Sequence, residues 1–153
     1  MEKLRYHEII EDYSHLLDDI DRKKIKKIEE KMERAPFERE KLELEKKIYE
    51  VCLDSFDRKG VHREKDLSSW LGEEDQLRIN DVVEKVKQSR DVKESLKYEA
   101  KVYGIYLESI CSQTVFPLES LVKKYIRLLE DSETSEESAI LSLIITDLLE
   151  TAR

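Results

Sequence analysis

The sequence contains few of the residues that interrupt helices or build common cofactor sites. Three glycines, two prolines and two cysteines occur among 153 residues. So few glycines exclude most nucleotide-binding fingerprints, and the chain also lacks a nucleophile elbow and a cysteine-histidine cluster. Catalysis would need scattered carboxylates and tyrosines, so we expect a non-enzymatic protein without a cofactor. Because glycine and proline are so few, the sequence also predicts long helices.

Long apolar runs are missing as well. No stretch approaches the roughly 20 apolar residues of a membrane span, and the first residues, MEKLRYHEII, lack the apolar core of a secretory signal. We therefore expect a cytoplasmic protein without a membrane segment. Asparagine and glutamine are scarce while glutamate and lysine abound, a bias that predicts a thermophilic source with surface ion-pair networks.

Charged residues make up 42% of the chain, and the net charge is −8. An acidic chain of this kind argues against nucleic acid or an anionic membrane as partner, because a positive field dominates both kinds of binding. The length fits one ordinary domain with a core of its own.

Apolar residues recur at three-and-four spacing along most of the chain, which is typical of amphipathic helices. We expect helix breaks or caps at Asp18 and at Pro36, the latter as the first residue of a helix closed by Gly60. Asp91 with Glu94 and Thr134 with Glu137 have the spacing of capping boxes. The sequence thus predicts an all-α, single-domain bundle of seven to eight helices over residues 1–153.

The opening stretch YHEIIEDYSHLLDD places His7, Glu11 and His15 on one polar stripe if it forms a continuous helix. The two histidines would lie about 12 Å apart along the axis, too far to share an ion. His62, the remaining histidine, has no carboxylate three residues before it. We therefore expect a solvated helix face and no metal site.

A basic run, RKKIKK, supplies five positive charges: Arg22, Lys23, Lys24, Lys26 and Lys27. With Arg58, Lys59, His62 and Arg63 it could form a patch for phosphate or RNA. Glu29, Glu30 and Glu33 follow within pairing range, and no aromatic residue is interleaved for base stacking. The alternative interpretation is an exposed helix supported by charge pairs, which we favour.

The helix over VKESLKYEAKVYGIYLESIC carries Glu99 inside its apolar arc, with Tyr103 and Tyr106 one and two turns later. A carboxylate that faces a core must be paired or hydrogen-bonded. The three side chains could line a polar pocket for a small molecule, or Glu99 could make a structural hydrogen bond or salt bridge, which we favour. Gly104 in the same helix predicts close approach by another helix.

The final helix is apolar nearly all around. It is either sandwiched in the core, which we favour slightly, or paired with another chain. The candidate interface residues are Ile140, Leu141, Ile144, Ile145 and Leu148. Cys52 and Cys111 lie among apolar neighbours and are expected to be small buried hydrophobes.

The function that these patterns favour is protein–protein interaction, as an adaptor or as a structural subunit of a larger assembly or homo-oligomer. One alternative is a small-molecule-binding protein or enzyme with a polar pocket around Glu99. A second is contact with RNA or phosphate through residues 22–27.

Overall fold

A computed structural model describes residues 5–61 and 67–152 of the chain. These residues form seven α-helices and two short 3-10 turns and no strand, so the all-α prediction is confirmed. Contacts between Cα atoms divide the chain into two compact units, Met1–His62 and Arg63–Arg153. We describe each unit by itself, and the single domain remains a prediction.

The N-terminal unit contains α1 (Tyr6–Asp12), a 3-10 turn (Ser14–Leu16), α2 (Asp19–Arg34) and α3 (Glu38–Arg58). The first helix is shorter than predicted because the chain tightens into the 3-10 turn and Leu17 takes up an extended backbone. The cap at Asp18 is confirmed: its carboxylate accepts from the Asp21 amide at 3.0 Å, and the Asp21 carboxylate accepts from the Asp18 amide at 3.3 Å.

A salt bridge joins the start of α2 to the end of α3. Arg58 Nη2 lies 2.7 Å from Asp21 Oδ1, and Arg58 Nη1 lies 3.5 Å from Asp18 Oδ2. Asp21 is buried, so its charge requires this partner. The two carboxylates raise the pKa of Arg58 above its ordinary value through the hydrogen bond and the charge of Asp21.

The third helix packs against both α1 and α2. Its C-terminus has the predicted glycine: Gly60 has φ of +81°, and the amides of Gly60 and Val61 donate to the carbonyls of Asp57 and Phe56. This arrangement is a Schellman motif. The prediction for Pro36 was wrong by two residues, since Phe37 is the N-cap and α3 begins at Glu38.

The C-terminal unit contains a 3-10 turn (Ser68–Trp70), α4 (Glu73–Gln88), α5 (Val92–Gln113), α6 (Glu119–Glu130) and α7 (Ser135–Glu150). Asp91 and Thr134 are both N-caps, as predicted. Thr134 accepts from the amide of Glu137, the predicted partner, whereas Asp91 accepts from the amide of Lys93 instead of that of Glu94. Each helix packs against the next one along the chain, and α5 also contacts α7. None of the helices in the described ranges is long and apolar enough to cross a bilayer.

The core of this unit includes a small cluster between α4 and α5. Ile79, Val82 and Ile105 are buried there, and Tyr98 and Val102 pack against them. This cluster packs α5 against α4, and α6 contacts α5 as well. The charged residues Lys97, Lys101 and Glu108 of α5 remain exposed.

Candidate functional site

A groove of about 970 Å³ runs along the uncovered face of α5, which we call the α5 groove. Residues of α4, α5 and α6 line it: Arg78, Lys97, Ala100, Lys101, Gly104, Ile105, Leu107, Glu108, Cys111, Ser112, Glu119, Lys123, Ile126, Arg127 and Glu130. From Lys97 to Ser112 the lining spans roughly 22 Å of helix, at 1.5 Å per residue. This length matches four turns of a helix and exceeds that of most small molecules.

Helical periodicity explains why these α5 residues share one face. Lys97, Lys101, Gly104 and Glu108 fall within an arc of about 60° on a helix of 100° per residue. Ala100 and Leu107 are buried beside this arc and form an apolar floor. The groove therefore combines a polar stripe with an apolar floor, which is the pattern of a surface that binds an amphipathic segment.

Gly104 lies at the middle of the groove, and the structure contradicts the prediction made for it. Among the described residues, no heavy atom lies within 4 Å of the point where a Cβ would stand, apart from the chain neighbours of Gly104 and the helix's own backbone. Close packing by another helix of this chain, which we expected, is therefore wrong. The glycine leaves open space at the centre of the groove and allows close approach by a backbone from outside.

The groove is rich in positive charge for so acidic a unit. The Arg63–Arg153 unit has 13 Lys or Arg and 19 Asp or Glu, and five of the cations but only three of the carboxylates line the groove. Lys123 lies 3.1 Å from Glu119, and Arg78 lies 3.2 Å from Asp75 and 3.6 Å from Glu108. The groove is thus a local exception to the negative charge of the unit.

Three of the five cations have no carboxylate within salt-bridge distance. Lys97, Lys101 and Arg127 are exposed and make no ion pair with any residue in the ranges 5–61 and 67–152. Lys97 and Lys101 belong to α5 and Arg127 to α6. Because they are not neutralised within the chain, they are available to carboxylates of a ligand.

Cys111 lines the groove and is only partly buried, so the expectation of full burial was wrong for it. Burial and the charge of Glu119 raise the pKa of the Cys111 thiol, and Lys123 lowers it. Cys52 is fully buried as predicted, and burial raises the pKa of its thiol to about 12. The two cysteines therefore differ in access, and Cys111 is the one that reagents can reach.

The polar pocket predicted around Glu99 does not coincide with this groove. Glu99, Tyr103 and Tyr106 are each half-buried, and they lie on the opposite side of α5 from the stripe of Lys97 and Gly104. Tyr106 packs against the Ile79 cluster. The structure thus separates these three residues from the open groove, and the pocket remains a prediction.

The candidate interface of the final helix lies inside the structure. Ile140, Leu141, Ile144, Ile145 and Leu148 are 0–6% exposed. These side chains therefore lie in the core of the C-terminal unit, which favours a core helix over a helix that pairs with another chain. Contact with another chain through them would require α7 to leave its neighbours.

The basic run lies on α2 with all five of its cations exposed. Arg22 donates to the carbonyl of Ser14 at 2.8 Å. Glu29, which was expected to pair with the run, accepts instead from the Tyr6 hydroxyl at 2.8 Å and lies 3.5 Å from His7. Of the other residues predicted for the patch, Arg58 makes salt bridges with Asp18 and Asp21. His62 and Arg63 lie outside the described residues.

The polar stripe of the opening segment is not continuous, since α1 ends at Asp12 and His15 lies in the 3-10 turn. Across residues 5–61 and 67–152, no group of three or more His, Cys, Asp or Glu side chains could hold a metal ion. His7 is instead beside Glu29 at the surface of α2.

Sequence reasoning missed the α5 groove because the groove depends on how α6 packs beside α5. A signal existed: Lys97, Lys101, Gly104 and Glu108 follow the helical period on a face without an apolar residue. That pattern alone is the ordinary one for a solvated face, and it becomes a candidate site only because α6 places Arg127 on the other side of the groove.

No family model matches the chain, and neither a curated protein nor a solved structure matches it.

Proposed function

We propose that the protein is a non-enzymatic interaction module whose α5 groove binds an acidic amphipathic helix of a partner protein. The observation that carries the proposal is the set of unpaired cations, Lys97, Lys101 and Arg127, around an open groove in a unit of net negative charge. A cytoplasmic location and membership of a larger assembly, both favoured by the sequence, belong to the same proposal.

The shape of the groove supports a helix over a small ligand. Binding sites for small molecules enclose most of the ligand surface, whereas this groove is open along roughly 22 Å. A helix of about 15 residues has that length. The absence of a side chain at Gly104 lets the backbone of such a helix come close to α5 at the centre of the groove.

The charges support an acidic partner over a basic one. Lys101 lies on α5 and Arg127 on α6, and neither has a carboxylate of residues 5–61 or 67–152 within salt-bridge distance. Glutamates on both flanks of a bound helix would meet these cations while its apolar stripe faces the floor at Ala100 and Leu107. Charge complementarity of this kind sets specificity and the rate of association more than the final affinity.

The experiment uses a designed 16-residue peptide with leucines at helical spacing and glutamates on both flanks, and a control peptide with lysines in place of the glutamates. The glutamate peptide should cover the Cys111 thiol and so slow its alkylation by a maleimide. The lysine peptide should leave the rate of alkylation unchanged. Cys52 is buried and serves as an internal non-reacting thiol.

Two matched variants test whether the peptide binds in the α5 groove. Charge reversal by Lys101→Glu and Arg127→Glu should abolish protection by the acidic peptide and permit it with the lysine peptide. Lys85→Glu with Lys87→Glu makes the same change of charge on exposed α4 residues outside the groove and should leave protection intact. Equal protection in both variants, or none in the unchanged protein, would refute the proposal.

A second copy of the chain is the competing occupant. Native mass spectrometry of the unchanged protein distinguishes it: a homodimer that dissociates in the Lys101→Glu, Arg127→Glu variant would show that the groove binds the chain itself. A monomer that binds the acidic peptide supports a separate partner.

A further inference from the structure

We propose a second binding site in the N-terminal unit: the exposed cations of α2 bind the phosphate backbone of double-stranded nucleic acid without sequence preference. We call this surface the α2 basic face, formed by Arg22, Lys23, Lys24, Lys26 and Lys27. The proposal is independent of the α5 groove, because it rests on other residues in the other unit.

The first observation is that the cations repel one another and are not neutralised by the chain. Lys23 and Lys27 are one turn apart, as are Arg22 and Lys26, and like charges at this spacing destabilise a helix. All five side chains are exposed, and none of the four lysines makes an ion pair with a residue in the described ranges. An anionic ligand would relieve this repulsion.

The second observation concerns the acidic residues that argued against the site in the sequence. Glu29 could pair with Lys26 one turn earlier, but its carboxylate accepts from Tyr6 at 2.8 Å and faces His7 at 3.5 Å. At the start of the helix, Asp18 and Asp21 are engaged by Arg58 and by the capping box. Asp19, one turn before Lys23, and Glu30, one turn after Lys26, are exposed and make no salt bridge with these lysines. The four lysines of the face are therefore not paired within the described part of the chain.

The third observation is the composition of the face. The face has no interleaved aromatic residue, so base stacking is excluded and contact is limited to phosphates.

The test measures fluorescence anisotropy of a labelled 16-base-pair DNA duplex of arbitrary sequence at 20–200 mM KCl. Binding through about four phosphate contacts gives a slope near −3.6 for log K against log salt, which is a loss of roughly 100-fold between 50 and 200 mM. A second duplex of unrelated sequence should bind with the same affinity.

Lys23→Glu with Lys27→Glu should reduce the slope by about two and weaken binding at 20 mM KCl by at least tenfold. Lys23 and Lys27 are exposed, and glutamate forms helices about as well as lysine, so the variant should fold. Lys85→Glu with Lys87→Glu carries the same total charge and should bind as the unchanged protein does. If it weakens binding equally, general charge and not the α2 basic face is responsible, and the proposal is overturned.

Poly-glutamate of matched length serves as the competing polyanion. Nucleic acid as the ligand requires that poly-glutamate displaces the duplex at least tenfold less effectively than unlabelled duplex, at equal concentration of negative charge. Equal displacement would mean that the face recognises acidic protein, and an absence of duplex binding at 20 mM KCl would remove the site altogether.

Discussion

Replacement of Gly104 by alanine should stabilise the protein. Gly104 lies in the interior of α5, where glycine is less favourable than alanine by about 0.8–1.0 kcal/mol. Gly104 does not have a positive φ. Apart from its chain neighbours and the backbone of α5 itself, no described atom lies within 4 Å of the added Cβ, so the methyl group meets neither strain nor a clash. We expect the free energy of unfolding to rise by about 1 kcal/mol, which raises the melting temperature by about 2–4 °C.

Urea unfolding followed by the fluorescence of Trp70 is the assay. Trp70 is the single tryptophan, and its carbonyl accepts hydrogen bonds from Ser109 and Gln113 of α5. The probe therefore reports on the unit that contains Gly104. Circular dichroism recorded on the same samples tests the predicted single domain, because one cooperative domain gives coincident transitions by both probes.

Gly60→Ala is the matched control, and it should lower the free energy of unfolding. Nothing lies within 4 Å of its added Cβ either, but Gly60 has φ of +81°, and a left-handed conformation costs other residues about 1 kcal/mol or more. The reasoning is refuted if Gly104→Ala destabilises the protein, since some atom would then have to pack against α5 more closely than the structure shows.

Two further predictions concern helix caps. Thr134→Ala should lower the free energy of unfolding by about 1 kcal/mol in urea, because the Glu137 amide loses its acceptor at the start of α7, whereas Thr134→Ser should keep the cap; equal stability of both variants would show that the cap contributes nothing. The hydrogen bond from the Asp21 amide lowers the pKa of Asp18 below its ordinary value of 3.8. A carboxylate with a lowered pKa in the folded state contributes stability above the pKa of the unfolded state and loses it as the pH falls. Melting temperatures from pH 7 to pH 2 should therefore decline less steeply below about pH 4 in Asp18→Asn than in the unchanged protein, and parallel curves would contradict the assignment.

The sequence by itself determined the helices and most of their ends. Asp18, Gly60, Asp91 and Thr134 were predicted as caps or breaks from residue type and spacing alone, since a cap depends on a few neighbouring residues. The break after Asp12 was missed, because the apolar spacing from Tyr6 to Leu17 fits a continuous helix and a 3-10 turn interrupts it.

Tertiary structure determined which helix faces are buried and which remain open. From the sequence, the apolar final helix fitted a core only slightly better than an interface, and the structure shows that Ile144 is fully buried. Gly104 predicted a close neighbour, yet it faces open space, because periodicity shows which residues share a face but not what lies opposite. Lys101 and Arg127 are 26 positions apart in the sequence and line one groove only because α6 packs beside α5, and that packing depends on contacts between helices that no local pattern encodes.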